Sequence, residues 1–142
     1  MTTAVVTKGP GAPLLHVAVG VIVQQQQVLL SLRAKHQHQG DKWEFPGGKV
    51  EAGESVQQAL HRELAEELAI AVQSARPLME VRHAYPERTV LLDIWLVDGF
   101  SGEPVGQEGQ PVRWFAIDSL HQLTFPDANQ AIVERLQQLR AC

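Results

Sequence analysis

At 142 residues and 15.7 kDa, with 44% apolar and 20% charged residues, the chain has the size and composition of one folded domain with an ordinary core. Its formal net charge of −4 argues against a binder of nucleic-acid polymers, but leaves open a small nucleotide whose charge is neutralised locally by metal ions. The sole cysteine, Cys142, excludes an intrachain disulfide or a cysteine-built zinc site and fits a reducing, cytoplasmic setting, and the sequence predicts neither a signal peptide nor a membrane span.

In chain order, Met1–Pro13 carries Gly9, Pro10, Gly11 and Pro13 and no hydrophobic period, which predicts a flexible arm ahead of a single domain over 14–142. Leu14–Val23 and Val28–Arg33 are rich in aliphatic and β-branched residues, a strand pair joined by a hairpin loop at Gln24–Gln27. A polar loop, Lys35–Lys42, leads to a short extended piece, Trp43–Phe45, ended by Pro46, Gly47 and Gly48. Val56, Leu60, Leu64 and Leu68 recur at helical spacing and predict a helix over Ser55–Leu68 with a core-facing stripe. Ser55 and Gln58 have the spacing of a capping box at its entry.

Beyond the helix, Pro77 is expected to close the region. Leu78–Tyr85 and Thr89–Val97 read as two strands around Pro86-Glu87-Arg88. A loop over Gly99–Pro111 then precedes a strand at Val112–Ile117. A last helix is expected over about Asp127–Arg140, with Asp127 as N-cap and Ile132, Val133, Leu136 and Leu139 on its buried side. Trp43, Trp95 and Trp114 read as core or pocket-wall aromatics.

The chemistry concentrates in the first helix. Glu63, Glu66 and Glu67 lie three and four residues apart, so their like charges share one face and repel. Such a face is either left in water, the ordinary fate of a glutamate-rich turn, or filled with cations, and hard divalent cations take oxygen ligands.

Gly48, five residues, Glu54, seven residues, then Arg62-Glu63-Leu64-Ala65-Glu66-Glu67, one residue, Ala69 and Ile70 resembles the Nudix box, G-x5-E-x7-R-E-U-x-E-E-x-G-U with U aliphatic. The one departure is Ala69, where that family usually has a glycine suited to the left-handed turn after a helix; alanine there costs about 1 kcal/mol, or the helix ends differently. Trp43–Lys49, Gly106–Pro111 and Phe125–Asn129 extend the resemblance, over roughly Val17–Leu136, to the MutT-type branch of the Nudix hydrolases.

The resemblance implies an α/β/α fold, a mixed β-sheet sandwiched between helices. It also implies Mg²⁺-dependent hydrolysis (Mn²⁺ is an alternative) of 8-oxo-dGTP to 8-oxo-dGMP and pyrophosphate. In that reading the Gly47 carbonyl, Glu63, Glu66, Glu67 and Glu108 hold the metal, Glu63 is the first choice for base, Arg62 fixes it and Glu54 pairs with Arg62. Arg33, His38, Glu44, Phe45, Pro46, Gly47 and Arg88 match substrate-contacting positions, and Asn129 would read the oxidised purine. Taken alone, Asn129 would be an ordinary helix-start residue, Arg33 and Arg88 surface cations and Glu108 a loop residue. The expected partner is a small nucleotide, with no nucleic-acid polymer or membrane, and the expected state a cytoplasmic monomer. The competing readings are a Nudix hydrolase of CTP, a methylated pyrimidine triphosphate or a nucleotide sugar, and a non-catalytic nucleotide-binding module.

Overall fold

A computed structural model describes residues 14–34, 36 and 40–141; the expected arm over Met1–Pro13 and the candidate His38 lie outside the described residues. Strand β1 (Leu14–Gln24) turns through Gln25 and Gln26, both at positive φ, into β2 (Gln27–Leu32). Two short strands, β3 (Trp43–Glu44) and β4 (Gly47–Lys49), precede helix α1 (Val56–Leu68). The long strands β5 (Ala71–Tyr85) and β6 (Arg88–Ser101), then β7 (Val112–Ala116), complete the sheet. Helix α2 (Gln130–Ala141) ends the fold.

The seven strands run β3-β2-β1-β6-β5, with β4 added to β1 and β7 to β2. Because β1 is parallel to β6 but antiparallel to β2 and β4, the sheet is mixed. Pairing between β1 and β2 is confined to Val23↔Val28 and Gln24↔Gln27, beside the hairpin. Farther from the turn β1 takes β4 as its neighbour through Val17–Val19, while β2 takes β3 through Ser31 and Leu32. The sheet therefore parts between its two first strands, and β3, β4 and the segment joining them fill the split.

Alternation along β1 divides the core in two. Ala18 and Ile22 pack with Leu60, Leu64 and Leu68 of α1, whereas Val19 and Val21 pack with Ile132, Val133 and Leu136 of α2. Successive strand residues point to opposite faces, so the helices cover opposite sides of the sheet, as an α/β/α sandwich requires. Gly20 lies on the α1 side. A Cβ there would stand 3.0 Å from Leu64 Cδ1, so the absent side chain lets the leucine stripe approach the sheet.

Helix α1 begins as its sequence predicts. Ser55 Oγ accepts from Gln58 N–H, and Gln58 Oε1 accepts from Ser55 N–H, closing a capping box. At its other end Ala69 adopts φ 61°, ψ 33°, the left-handed conformation that favours glycine.

Four expectations are corrected. Pro77 does not close the region after α1, because β5 already begins at Ala71 and carries Pro77 within it; among the described residues β5 pairs only with β6, and an edge strand tolerates a residue without an N–H. The loop expected from Gly99 starts later, since β6 runs on to Ser101 against the beginning of β5. Asp127 is not the N-cap of an α-helix: Asn129 N–H bonds to Pro126 O at 2.9 Å, winding Asp127–Asn129 as a 3₁₀ turn with Pro126 in the cap position and no side-chain cap. Leu139 is 42% exposed, because the buried side of α2 ends at Leu136. A further 3₁₀ turn, Ile117–Gln122, follows β7 and buries Ile117 and Leu120.

Candidate active site

The parted sheet opens into a cleft of about 820 Å³. One end is apolar, lined by Leu15 and Val17 of β1 and Val90 and Leu92 of β6; the other is acidic, with Glu67 of α1 and Glu108 of the loop before β7. Arg33, Glu44, Phe45, Gly47, Arg88 and Asn129 line the space between. Among the expected residues these eight side chains or backbones, with Glu67 and Glu108 counted in, meet in one cleft although they come from six separate stretches of chain.

The acidic end is electrostatically frustrated. Burial pushes the Glu67 carboxyl up to about 9, helped by its neighbours Glu63, Glu108 and Glu44. Burial also raises Glu44, against the opposing pull of Arg33, whose Nη1 donates to Glu44 Oε1 at 2.7 Å. Such crowding is relieved by a divalent cation, which favours the ionised carboxylates. Gly48 fits the same purpose: a Cβ there would fall 2.2–2.4 Å from the Glu63 carboxyl, so only glycine leaves that carboxylate its place beside the loop. Among the described residues no three His, Asp or Glu side chains already form a closed cage. The oxygen donors fit a hard cation by their chemistry, and the carboxylates would have to draw together to bind it.

Arg62 organises the approach to this end. Its Nε and Nη2 donate to Glu54 Oε2 and Oε1 at 2.6 and 3.0 Å, its Nη2 also donates to Lys49 O at 3.0 Å, and its Nη1 donates to Glu63 Oε2 at 2.9 Å. This fork holds Glu54 down to about 2 and raises the guanidinium itself above its ordinary range. Glu54 Oε1 in turn accepts from Glu51 N–H, tying the loop before α1. Adjacency in sequence would send Arg62 and Glu63 to different faces of α1, but the long arginine side chain bends back to grip its neighbour.

Of the three helix glutamates only Glu67 lines the cleft. Glu63 stands behind the lining, largely buried and bonded to Arg62, whereas Glu66 is 58% exposed and meets Arg62 Nη1 at 3.3 Å. Pro46 is buried, its carbonyl accepting from Gly20 N–H at 2.8 Å, and it too stands behind the lining.

At the other side, Asn129 Oδ1 accepts from Phe45 N–H at 3.3 Å, which fixes the orientation of its amide. The rings of Phe45 and Phe125 stack beneath, centroids 5.6 Å apart. Tyr85 was missed from sequence; it lines the cleft, and its hydroxyl accepts from Ala128 N–H at 3.2 Å, beside Asn129. Its position at the very end of β5 is the one signal that could have found it. Lys49, also unforeseen, lines the cleft from the end of β4.

Comparison with known proteins gives a consistent picture. Residues 18–135 match the family model of the NUDIX domain. The 8-oxo-dGTP diphosphatase of Escherichia coli is 39% identical over 126 residues, covering 88% of this chain and 98% of that protein. The CTP pyrophosphohydrolase of the same organism is 32% identical, covering 90% and 95%. The crystal structure of the MutT NUDIX hydrolase from Burkholderia pseudomallei superposes with a TM-score of 0.79 at 31% identity, covering 86% of this chain and 97% of that one.

Proposed function

The chain belongs to the Nudix family, and from that premise we propose that it hydrolyses 8-oxo-dGTP to 8-oxo-dGMP and pyrophosphate with Mg²⁺, Mn²⁺ serving as a substitute. The observation that carries the substrate is Asn129, held by Phe45 N–H in the lining of the cleft. With Oδ1 oriented by Phe45, a second lone pair on that oxygen remains to accept, and the adjacent NH₂ remains to donate. An oxidised guanine offers N7–H and O6 to this pair. Ordinary guanine presents an acceptor at N7, which would face an acceptor, and a buried unpaired polar group weakens binding.

Glu63, Glu67, Glu108 and the Gly47 carbonyl are the groups that would hold the metal, with Glu66 joining them by turning away from Arg62. A bound divalent cation supplies neutralisation of the developing phosphoryl charge and a more acidic water. Glu63 is suited to take the proton from the attacking water, because Arg62 restrains its carboxylate through Oε2. Attack at the β-phosphorus breaks its bond to the oxygen bridging to the α-phosphate, releasing 8-oxo-dGMP. Arg33 and Arg88, both in the cleft lining, supply positive charge beside the substrate.

Net charge of −4 supports a small nucleotide over a nucleic-acid polymer. No helix among the described residues is long and apolar enough to cross a membrane. We read the protein as a cytoplasmic monomer that sanitises the nucleotide pool. The deciding experiment is a comparison of kcat/KM for 8-oxo-dGTP, dGTP, CTP and a methylated pyrimidine triphosphate. Preference for 8-oxo-dGTP is expected; preference for CTP, the reading favoured by the 32% identical pyrophosphohydrolase, would replace the substrate assignment. Binding without turnover in saturating Mg²⁺ would instead make the chain a binding module.

A further inference from the structure

Glu108 lies on a loop, yet its carboxylate has to act together with one carried by a helix. The loop is docked on the end of α1. Val105 N–H donates to Leu68 O at 3.0 Å and Gln107 N–H to Glu67 O at 2.9 Å, so it supplies donors to carbonyls of the last turn, where a helix has no partners of its own. The loop also closes on itself, with Gly109 N–H bonded to Gly106 O at 3.0 Å. A Cβ on Gly106 would lie 1.9 Å from Gln110 O, so the closure needs glycine there.

One side chain joins the two parts. Gln110 Oε1 accepts from Glu108 N–H at 2.9 Å, and Gln110 Nε2 donates to Glu67 O at 3.2 Å. The amide thus spans the backbones of Glu108 and Glu67, the two residues whose carboxylates define the acidic end of the cleft. Among common side chains of this length only an amide can accept from one backbone and donate to the other, since glutamate lacks the donor and lysine or arginine the acceptor.

We infer that Gln110 is a positioning residue that sets the Glu108 carboxylate against Glu67, and thereby sets how tightly a divalent cation is held. The inference rests on the reading of Glu108 and Glu67 as metal ligands. Side chains that orient metal ligands typically change affinity by about 10- to 100-fold when removed.

The test uses the full chain and Mn²⁺ alone as probe, with free Mn²⁺ measured by electron paramagnetic resonance in the absence of nucleotide. Gln110→Met keeps the length and removes both hydrogen bonds; Gln110→Ala is the second variant should the first fold poorly. Mn²⁺ affinity is expected to fall roughly tenfold in each, with the metal-free melting temperature within a few degrees of the parent. Glu108→Gln should weaken Mn²⁺ binding as well, and the double variant Gln110→Met/Glu108→Gln should bind no more weakly than Glu108→Gln by itself. Unchanged Mn²⁺ affinity with a lowered melting temperature would reduce Gln110 to a loop brace, and multiplicative losses in the double variant would show that it acts without Glu108. If Glu108→Gln alone leaves affinity unchanged, the ligand assignment fails first and the role of Gln110 with it.

Discussion

Arg62 and Glu54 face each other as a two-pronged pair, Nε to Oε2 at 2.6 Å and Nη2 to Oε1 at 3.0 Å, while a third nitrogen of the same guanidinium restrains Glu63. Lysine has one ammonium and cannot reproduce that fork. Arg62→Lys should therefore lower kcat roughly 10- to 100-fold with KM for nucleotide changed far less, because the lost contacts orient the base and do not touch substrate. Steady-state kinetics at saturating Mg²⁺ decide it; an unaltered kcat would remove Arg62 from the mechanism.

As a proposed metal ligand, Glu67 should tie metal binding to pH. In the metal-free protein its carboxyl is raised to about 9 from an ordinary 4.5, so the folded state keeps a proton that the unfolded state releases. The folded state binds more protons across that window, and metal-free stability should fall as pH rises from about 4.5 towards 9. Mg²⁺ should reverse the slope in the same range by favouring the carboxylate, with proton release on binding. Thermal melts with chelator and with Mg²⁺ between those limits measure both. Glu67→Gln should flatten the metal-free slope and reduce pyrophosphate release in excess Mg²⁺ roughly 100-fold or more; near-parental turnover in that variant would be incompatible with its role as a ligand.

If Asn129 reads the oxidised purine as proposed, its loss should affect selectivity more than rate. Asn129→Ala should cut kcat/KM for 8-oxo-dGTP by roughly 100-fold while changing dGTP hydrolysis only a few-fold, since the plain purine gains little from the amide. Parallel assays of the two nucleotides give the ratio directly, and equal losses on both would assign Asn129 to general folding of the pocket.

Ala69 offers a gain of stability. It occupies the left-handed region at φ 61°, where a Cβ is unfavourable by about 1–2 kcal/mol, against about 0.4–1 kcal/mol of unfolded-state entropy that glycine adds. Ala69→Gly should stabilise the protein by about 1 kcal/mol, raising the melting temperature by roughly 3–4 °C without altering kcat. A lower melting temperature would mean that the methyl group contributes packing that outweighs its strain.

Much of the fold and of the site is legible in the sequence. Leu60, Leu64 and Leu68 announce the buried face of α1 by spacing alone, and Ser55 with Gln58 announces its start. These are local signals, fixed by helix geometry. The spacing of Gly48, Glu54, Arg62 and Glu63 carried the family, and the structure supplies its reason in the Arg62 fork and the missing Cβ of Gly48. The extent of β5 was not legible, because Pro77 is a strong breaker signal and only the absence of an outer neighbour makes it tolerable. Tyr85 and Gln110 were hidden for a different reason. Each works through a backbone group distant in sequence, Ala128 and Glu67, which periodicity does not connect. Glu66 shows the converse, since its place in a recognisable motif does not by itself turn the side chain into the cleft.

Pro77 has one more implication. Strand β5 forms the border of the sheet, where unpaired peptide groups could recruit a strand from another molecule. Its middle is interrupted by a residue with no amide hydrogen, and its register against β6 slips between Val72 and Ser74, between Ser74 and Ala75, and again between Pro77 and Met79. A border so irregular is a poorer template for edge-to-edge stacking than a flat, continuous fifteen-residue margin would be.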